Sequence, residues 1–120
     1  MSEEQDLTRQ IAQRLFGFRV SAGVQGFTRW TDAEGTVHHA IPAYLTNPAA
    51  TALVWRWLET RGIVLGAVYF DYTFEEPLAV VCVVRLGRHT AEEPGTTWQE
   101  ALCRAALALA EVLDKGEGGA

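Results

Sequence analysis

Between Arg29 and Tyr44 the chain gathers more recognition chemistry than any other short stretch of it. Arg29, Trp30, His38, His39 and Tyr44 supply a guanidinium, two flat rings and two imidazoles within sixteen residues. Such a set suits a small ligand that is both planar and anionic, because rings stack and a guanidinium pairs with phosphate or carboxylate. Asn47 and Pro48 read as the start of a helix, whose first backbone N–H groups favour an anion. Pro42–Thr46 reads as a loop between two regular elements, where binding residues tend to sit. The competing reading is packing, with Trp30 and Tyr44 plugging the end of the domain. A wider aromatic set (Trp55, Tyr69, Phe70, Tyr72 and Phe74 in addition), with Arg56, Arg85 and His89, extends the same choice. It makes a stacking pocket, a self-association patch, or plain core and edge packing.

Other chemistries find less support. His38 and His39 are neighbours on an expected strand, so their side chains point to opposite faces and cannot chelate one ion. His89 has no partner at ligand spacing, and Cys82 and Cys103 are lone thiols rather than a CxxC pair. Gly23-Val-Gln-Gly26 lacks the spacing of a phosphate loop and its Lys-Ser/Thr. Ser2 and Ser21 are the only serines, and neither sits in a nucleophile elbow. Asp71, Glu75 and Glu76 offer carboxylates for acid–base work, but a solvated strand end accounts for them more simply. The expectation is a protein that is not an enzyme, with no cofactor and no metal.

Bulk composition narrows the class. The 120 residues suit one domain, with 48% hydrophobic and 21% charged residues. A net charge of −5 disfavours a groove that tracks DNA or RNA phosphates. Nine of the ten basic residues are Arg, as a GC-rich genome or planar recognition by Arg would each produce. The two cysteines read as small core residues of a reduced, cytoplasmic protein. The acidic stretch Met1–Asp6 is unlike a signal peptide, and no apolar run approaches the ~20 residues of a membrane span.

Periodicity supplies the elements that must position these residues. Leu7, Ile11 and Leu15 recur at helical spacing, with Asp6 as N-cap and Gly17 as terminator. Phe18–Gly26 reads as a connection, and Phe27–Thr31 with Thr36–Ile41 as a β-hairpin around Asp32–Gly35. A second helix runs from Pro48 to about Arg61 with Ala50, Leu53, Val54, Trp57 and Leu58 inward. Trp55 lies on the flank of that stripe. Ile63–Phe74 and Leu78–Val84 read as strands around a Glu75-Glu76-Pro77 turn, the second covered on both faces. Gly87–Gly95 reads as a polar loop. Thr97 with Glu100 opens a third helix ending near Leu113, with Trp98, Leu102, Ala105, Ala106, Leu109, Val112 and Leu113 inward. The stripe is half alanine, so this helix can lie close on what it covers. The expectation is an α+β fold, a three-layer α/β/α sandwich with a mostly antiparallel four-stranded sheet, in the order α-β-β-α-β-β-α.

Several of these segments together resemble a known family. Ile11-Ala-Gln-Arg-Leu-Phe-Gly-Phe18, the hairpin bearing Trp30, the loop Pro42-x-Tyr44-x-Thr46-Asn47 with Ala50 and Trp55 beyond, and Glu100–Leu107 are similar to the phage ABA sandwich domain, found in small bacteriophage and prophage proteins. The likeness covers Leu7–Leu113, so that 1–120 forms one domain with a core at 7–113 and a flexible tail at 114–120. The stretch Arg85–Gly95 departs from the family pattern, which tends to carry a further short strand there. The resemblance implies a phage or prophage origin and a fold; it brings no catalytic residue.

The functional expectation is a non-enzymatic phage accessory protein, in its sharpest form an anti-defence protein sequestering a host nucleotide signal. The ligand site is placed at Arg29, Trp30, His38, His39 and Tyr44. The alternative is a module that binds a host or phage protein through exposed aromatics. A homo-oligomer is expected in either case, with Trp55 at its interface, and no membrane partner.

Overall fold

The computed structural model describes residues 3–22, 28–71 and 79–114. In chain order they form α1 (Glu3–Phe16), β1 (Arg19–Ala22), β2 (Thr28–Thr31), β3 (Val37–His38), α2 (Pro48–Thr60), β4 (Val64–Asp71), β5 (Ala79–Leu86), β6 (His89–Gly95) and α3 (Trp98–Asp114). The fold is mixed α+β, with two three-stranded antiparallel sheets, β1-β2-β3 and β4-β5-β6. The single four-stranded sheet expected from the sequence is not formed. Two strands hidden in apparent loops make the difference. β1 lies within the supposed connection Phe18–Gly26 and pairs with β2 from Arg19↔Thr31 to Ala22↔Thr28. β6 fills the supposed loop after Gly87 and pairs with β5 from Leu86↔His89 to Val80↔Gly95. Only Ala91 of β6 is a buried apolar residue, so its own composition hardly signals a strand. The tight turn at Gly87, which has a left-handed φ of 58°, lays it beside the valine-rich β5, and ladder bonding does the rest. The Glu75-Glu76-Pro77 turn and the 114–120 tail, apart from Asp114, lie outside the described residues.

α3 is the centre of the molecule. It packs against β5 and β6 on one side and against α1 and α2 on others, so burial extends well beyond one stripe. Ala101, Leu102, Cys103, Ala105, Ala106, Leu107, Leu109 and Ala110 are all buried. The expected layering, with helices divided between two faces of a sheet, gives way to α3 held between a sheet and two other helices. Val80, Cys82, Val84 and Ala91 share one core with Ile11, Leu15, Val54, Leu58, Leu102 and Leu109. Val81, on the opposite face of β5, is buried too, in keeping with a strand covered on both sides.

Contact with the sheet is close enough to dictate a residue. A Cβ built on Gly95 would lie 2.6 Å from the Ala101 nitrogen and 3.1 Å from its Cα, nearer than packed atoms allow. Glycine at the end of β6 is therefore required by the backbone of the first turn of α3. That turn is capped by Thr97, whose Oγ1 accepts the Glu100 N–H at 3.2 Å. The Glu100 carboxylate, expected to complete a capping box, instead accepts from Thr96 Oγ1 at 2.8 Å and Arg104 Nε at 3.1 Å.

Three helix details correct the periodic reading. α1 begins at Glu3, which puts Asp6 inside the first turn, where it accepts a bond from Gln10, and not at the N-cap. In α2 the inward face is turned so that Thr51 is fully buried and Leu53 is 41% exposed. Thr51 Oγ1 is satisfied by the Tyr44 and Asn47 carbonyls at 2.7 and 3.1 Å, which makes a buried threonine admissible. Trp98, expected in the α3 stripe, is the first residue of the helix and is 45% exposed.

Replacing Leu102, 1% exposed, with Ala should cost about 2–5 kcal/mol in denaturant unfolding. Arg104→Ala should cost under ~1 kcal/mol, its ion-pair partner Glu3 being largely exposed. Gly95→Ala should cost ~1–3 kcal/mol, since the Ala101 backbone must move away. Equal small losses at Leu102 and Arg104 would show the wrong face packed inward.

Candidate ligand-binding cleft

The first hairpin owes its shape to one carboxylate. Asp32 Oδ1 accepts the Glu34 and Thr36 N–H groups at 3.0 and 2.8 Å, and Oδ2 accepts from His38 Nε2 at 2.8 Å. Gly35, at φ 91°, completes the turn. This arrangement holds the His38 ring edge-on to Phe18, with centroids 5.6 Å apart. Trp30 is paired with His38 in the β2–β3 register and also meets Phe18 edge-on, at 6.5 Å. From α1 the Arg9 guanidinium lies over the indole, 5.8 Å from its centroid, within reach of a cation–π attraction.

Beside this cluster a cleft opens between α1 and the loop before α2, with a volume of about 390 Å³. Glu4, Gln5, Thr8 and Arg9 form one wall, Ile41–Ala43, Leu45 and Thr46 the other, and Trp30 the end. The floor is firmly held. Tyr44 points away from the cleft lining, is 1% exposed and stacks on Phe16 at 5.3 Å with an 8° angle between rings. Its carbonyl accepts from Thr51 and, at 3.8 Å, from Cys103 Sγ.

Of the five residues selected from the sequence, Trp30 lines the cleft and His38 is its cross-strand neighbour, both meeting Phe18 edge-on. Arg29 and His39 are exposed on the hairpin, and Tyr44 is used in packing. His38 is half-buried at the end of β3 and His39, just beyond the strand, is exposed. The start of α2 is taken by its own cap: Pro48 has no N–H, Asn47 Oδ1 takes that of Ala49, and the Asn47 carbonyl takes that of Thr51. Little is left there for an anion. Trp55 is 38% exposed and borders a depression with Leu58, Glu59 and Ile63. Tyr72, Phe74, Glu75 and Glu76 fall outside the described residues.

The sequence reading missed Arg9, Thr8 and Glu4, because the polar face of an amphipathic helix ordinarily reads as solvated. A signal was present in the Trp30-to-loop spacing, which needs a second wall to form a cleft. On the adjoining side of α1, a second cleft of about 320 Å³ runs along α3. Both of its arginines are already engaged: Arg14 pairs with Glu111 and Asp114 at 3.2 and 3.8 Å, and Arg104 with Glu3 at 2.7 Å. Among the described residues no three His, Cys, Asp or Glu side chains are placed to hold a metal ion. Burial pushes the Cys82 thiol up to about 11 and that of Cys103 up to about 12, so both are protonated and unreactive near neutrality. No helix among the described residues is long and apolar enough to cross a membrane.

The chain is similar in fold to a solved structure, the 2.0 Å crystal structure of a phage protein from Bacillus cereus ATCC 14579. The TM-score is 0.56 at 20% identity, over 90% of this chain and 92% of that one. No protein-family model matches the chain, the phage sandwich family included, and no curated protein does.

The hairpin carries its own acid limit. The bond from His38, then that from the Thr36 N–H, hold the Asp32 carboxyl below its ordinary value of 3.8, against a partial burial that would raise it. A depressed carboxyl stabilises the fold above its unfolded value and ceases to as pH falls through the folded one. NMR of the Trp30 indole and His38 ring should therefore show the cluster loosening, as pH falls, only below the ordinary carboxyl value of 3.8. Loosening well above that value would show that Asp32 is not the controlling group.

Proposed function

We propose that this protein is a non-enzymatic accessory protein of phage or prophage origin that captures a small nucleotide-like ligand in the cleft between α1 and the 41–46 loop. The observation that carries the reading is the convergence of Arg9, Trp30 and Glu4 on one cavity of about 390 Å³, within the ~300–1,000 Å³ usual for small-molecule sites. Trp30 closes the end of the cavity, and Arg9, Glu4 and the 41–45 loop each contribute a different contact. Arg9 is a counter-ion for phosphate and a flat surface for a ring. Glu4 accepts from an exocyclic amine, and the apolar 41–45 loop covers a base edge. A base joined to a phosphate uses all three; a simple inorganic anion uses one and meets Glu4 as a repulsion. Capture by stoichiometric binding needs no nucleophile, and the pair nearest to a catalytic dyad, Asp32 and His38, is engaged in the hairpin turn. Phage origin is supported by the likeness to the Bacillus cereus phage protein over nearly the full length of both chains. In a cytoplasm where a bacterial host signals infection with nucleotides, such capture amounts to anti-defence activity.

A second reading, a module that binds a host or phage protein, is favoured by Trp98 and Trp55, 45% and 38% exposed. Thermal denaturation against a nucleotide panel separates the two. A nucleotide held at 100 times its Kd should add about 2.7 kcal/mol to the folded state. Arg9→Ala should abolish that shift and lower the melting temperature of the free protein by no more than about 5 °C, since Arg9 contributes only a surface cation–π contact of ~0.5–1 kcal/mol. If no nucleotide shifts the wild type, the protein-binding reading stands alone.

A further inference from the structure

The cleft beside α1 limits how much charge its occupant can bring. Arg9 is the one cation among the described residues that line it, and Glu4 is a carboxylate on the same wall. The Arg9 guanidinium is seated on the Trp30 indole, 5.8 Å from its centroid. Its N–H groups can take two oxygens of one phosphate side by side. Other anion sites nearby are closed. The first turn of α1 already holds Glu3, Glu4 and Asp6, whose carboxylates answer the positive end of that helix. The start of α2 is taken by its own cap. Glu4 enters no ion pair among the described residues, whereas Arg14 and Arg104 in the adjoining cleft are both engaged. The chain as a whole carries a net −5, so any anionic charge beyond the one that Arg9 matches enters an unfavourable field. Glu4 and Arg9 stand about 7.5 Å apart along the helix axis at ~1.5 Å per residue, so they address different ends of a ligand.

We propose that the cleft selects a nucleotide with a singly charged phosphate and an amine-bearing base, the phosphate at Arg9 and the base amine at Glu4. The inference rests on the reading of this cleft as a nucleotide site and narrows it by charge. A phosphodiester, as in a cyclic mononucleotide, carries a single negative charge, which Arg9 neutralises. A phosphate monoester carries about −1.5 to −2 near neutrality, and a triphosphate more. That surplus has no counter-ion here and is repelled by Glu4. A base amine donates to the Glu4 carboxylate, whereas a base carbonyl in the same place sets acceptor against acceptor.

The test is calorimetric titration of the full chain, without divalent cations, with adenosine, cyclic AMP, ATP and cyclic IMP. The last carries a carbonyl where adenine carries its amine. Cyclic AMP should bind about tenfold or more tighter than each of the others. Glu4→Gln, at an exposed position, should melt like the wild type. It should also narrow the gaps to ATP and to cyclic IMP, because a carboxamide is neutral and both donates and accepts. Adenosine or ATP binding as tightly as cyclic AMP overturns the charge limit and leaves nucleotide capture standing. Cyclic IMP matching cyclic AMP, or gaps unchanged in Glu4→Gln, overturns the part given to Glu4. Binding of none of the four overturns the proposal outright, and the wider nucleotide panel then decides whether capture itself survives.

Discussion

The approach of α3 to β6 at Gly95 is the constraint on which the other contacts rest. With the Ala101 nitrogen 2.6 Å from where a Cβ would stand, the first turn of the helix lies against the end of β6 nearly backbone to backbone. Only small residues permit this, and Ala101, Ala105 and Ala106 are each fully buried. A closely seated helix leaves its remaining sides free to receive neighbours, and α1 and α2 occupy them. Bulkier residues at the contact would lift α3 away from the Val80/Cys82/Val84 face, opening voids that protein interiors do not tolerate.

The helices were legible in the sequence because period 3.6 survives in Leu7/Ile11/Leu15 and in Leu102/Ala106/Leu109. The extent of burial on α3 was not. A helix enclosed on several sides shows its amphipathic stripe only where it faces Arg104 and Glu111, so periodicity understates how central it is. The valine run of β5 read as a doubly covered strand; its Val80/Cys82/Val84 face is core, while on the other face Val81 is buried and Arg85 exposed. β6 and β1 were invisible for the converse reason: their residues are polar or small, and pairing partners rather than propensity impose the extended form. Misplacing them turned two three-stranded sheets into one of four strands.

Legibility of the cleft followed the same division. Trp30 and the 41–46 loop stood out because a large ring next to a proline-bearing loop is unusual chemistry in a short span. Arg9 did not, since it sits among the ordinary polar residues of a surface helix and becomes part of the cleft only when tertiary structure swings α1 over the hairpin. Tyr44 misled in the opposite sense. Its ring is spent on Phe16, and its carbonyl joins the loop to α2 and to Cys103.

The position of α3 in chain order has a consequence for biosynthesis. α1 and α2 both bury their apolar faces against a helix that is translated after them. At about 5–20 residues per second, the Leu7/Ile11/Leu15 face emerges from the ribosome roughly 5–20 s before its packing surface exists. The β4–β5–β6 meander and α3, by contrast, are contiguous in sequence, and their contacts close short loops that form quickly. The order of assembly thus runs against the order of synthesis, and for those seconds the nascent amino-terminal half depends on its charges, among them Glu3, Glu4, Asp6, Arg9 and Arg14, to stay in solution.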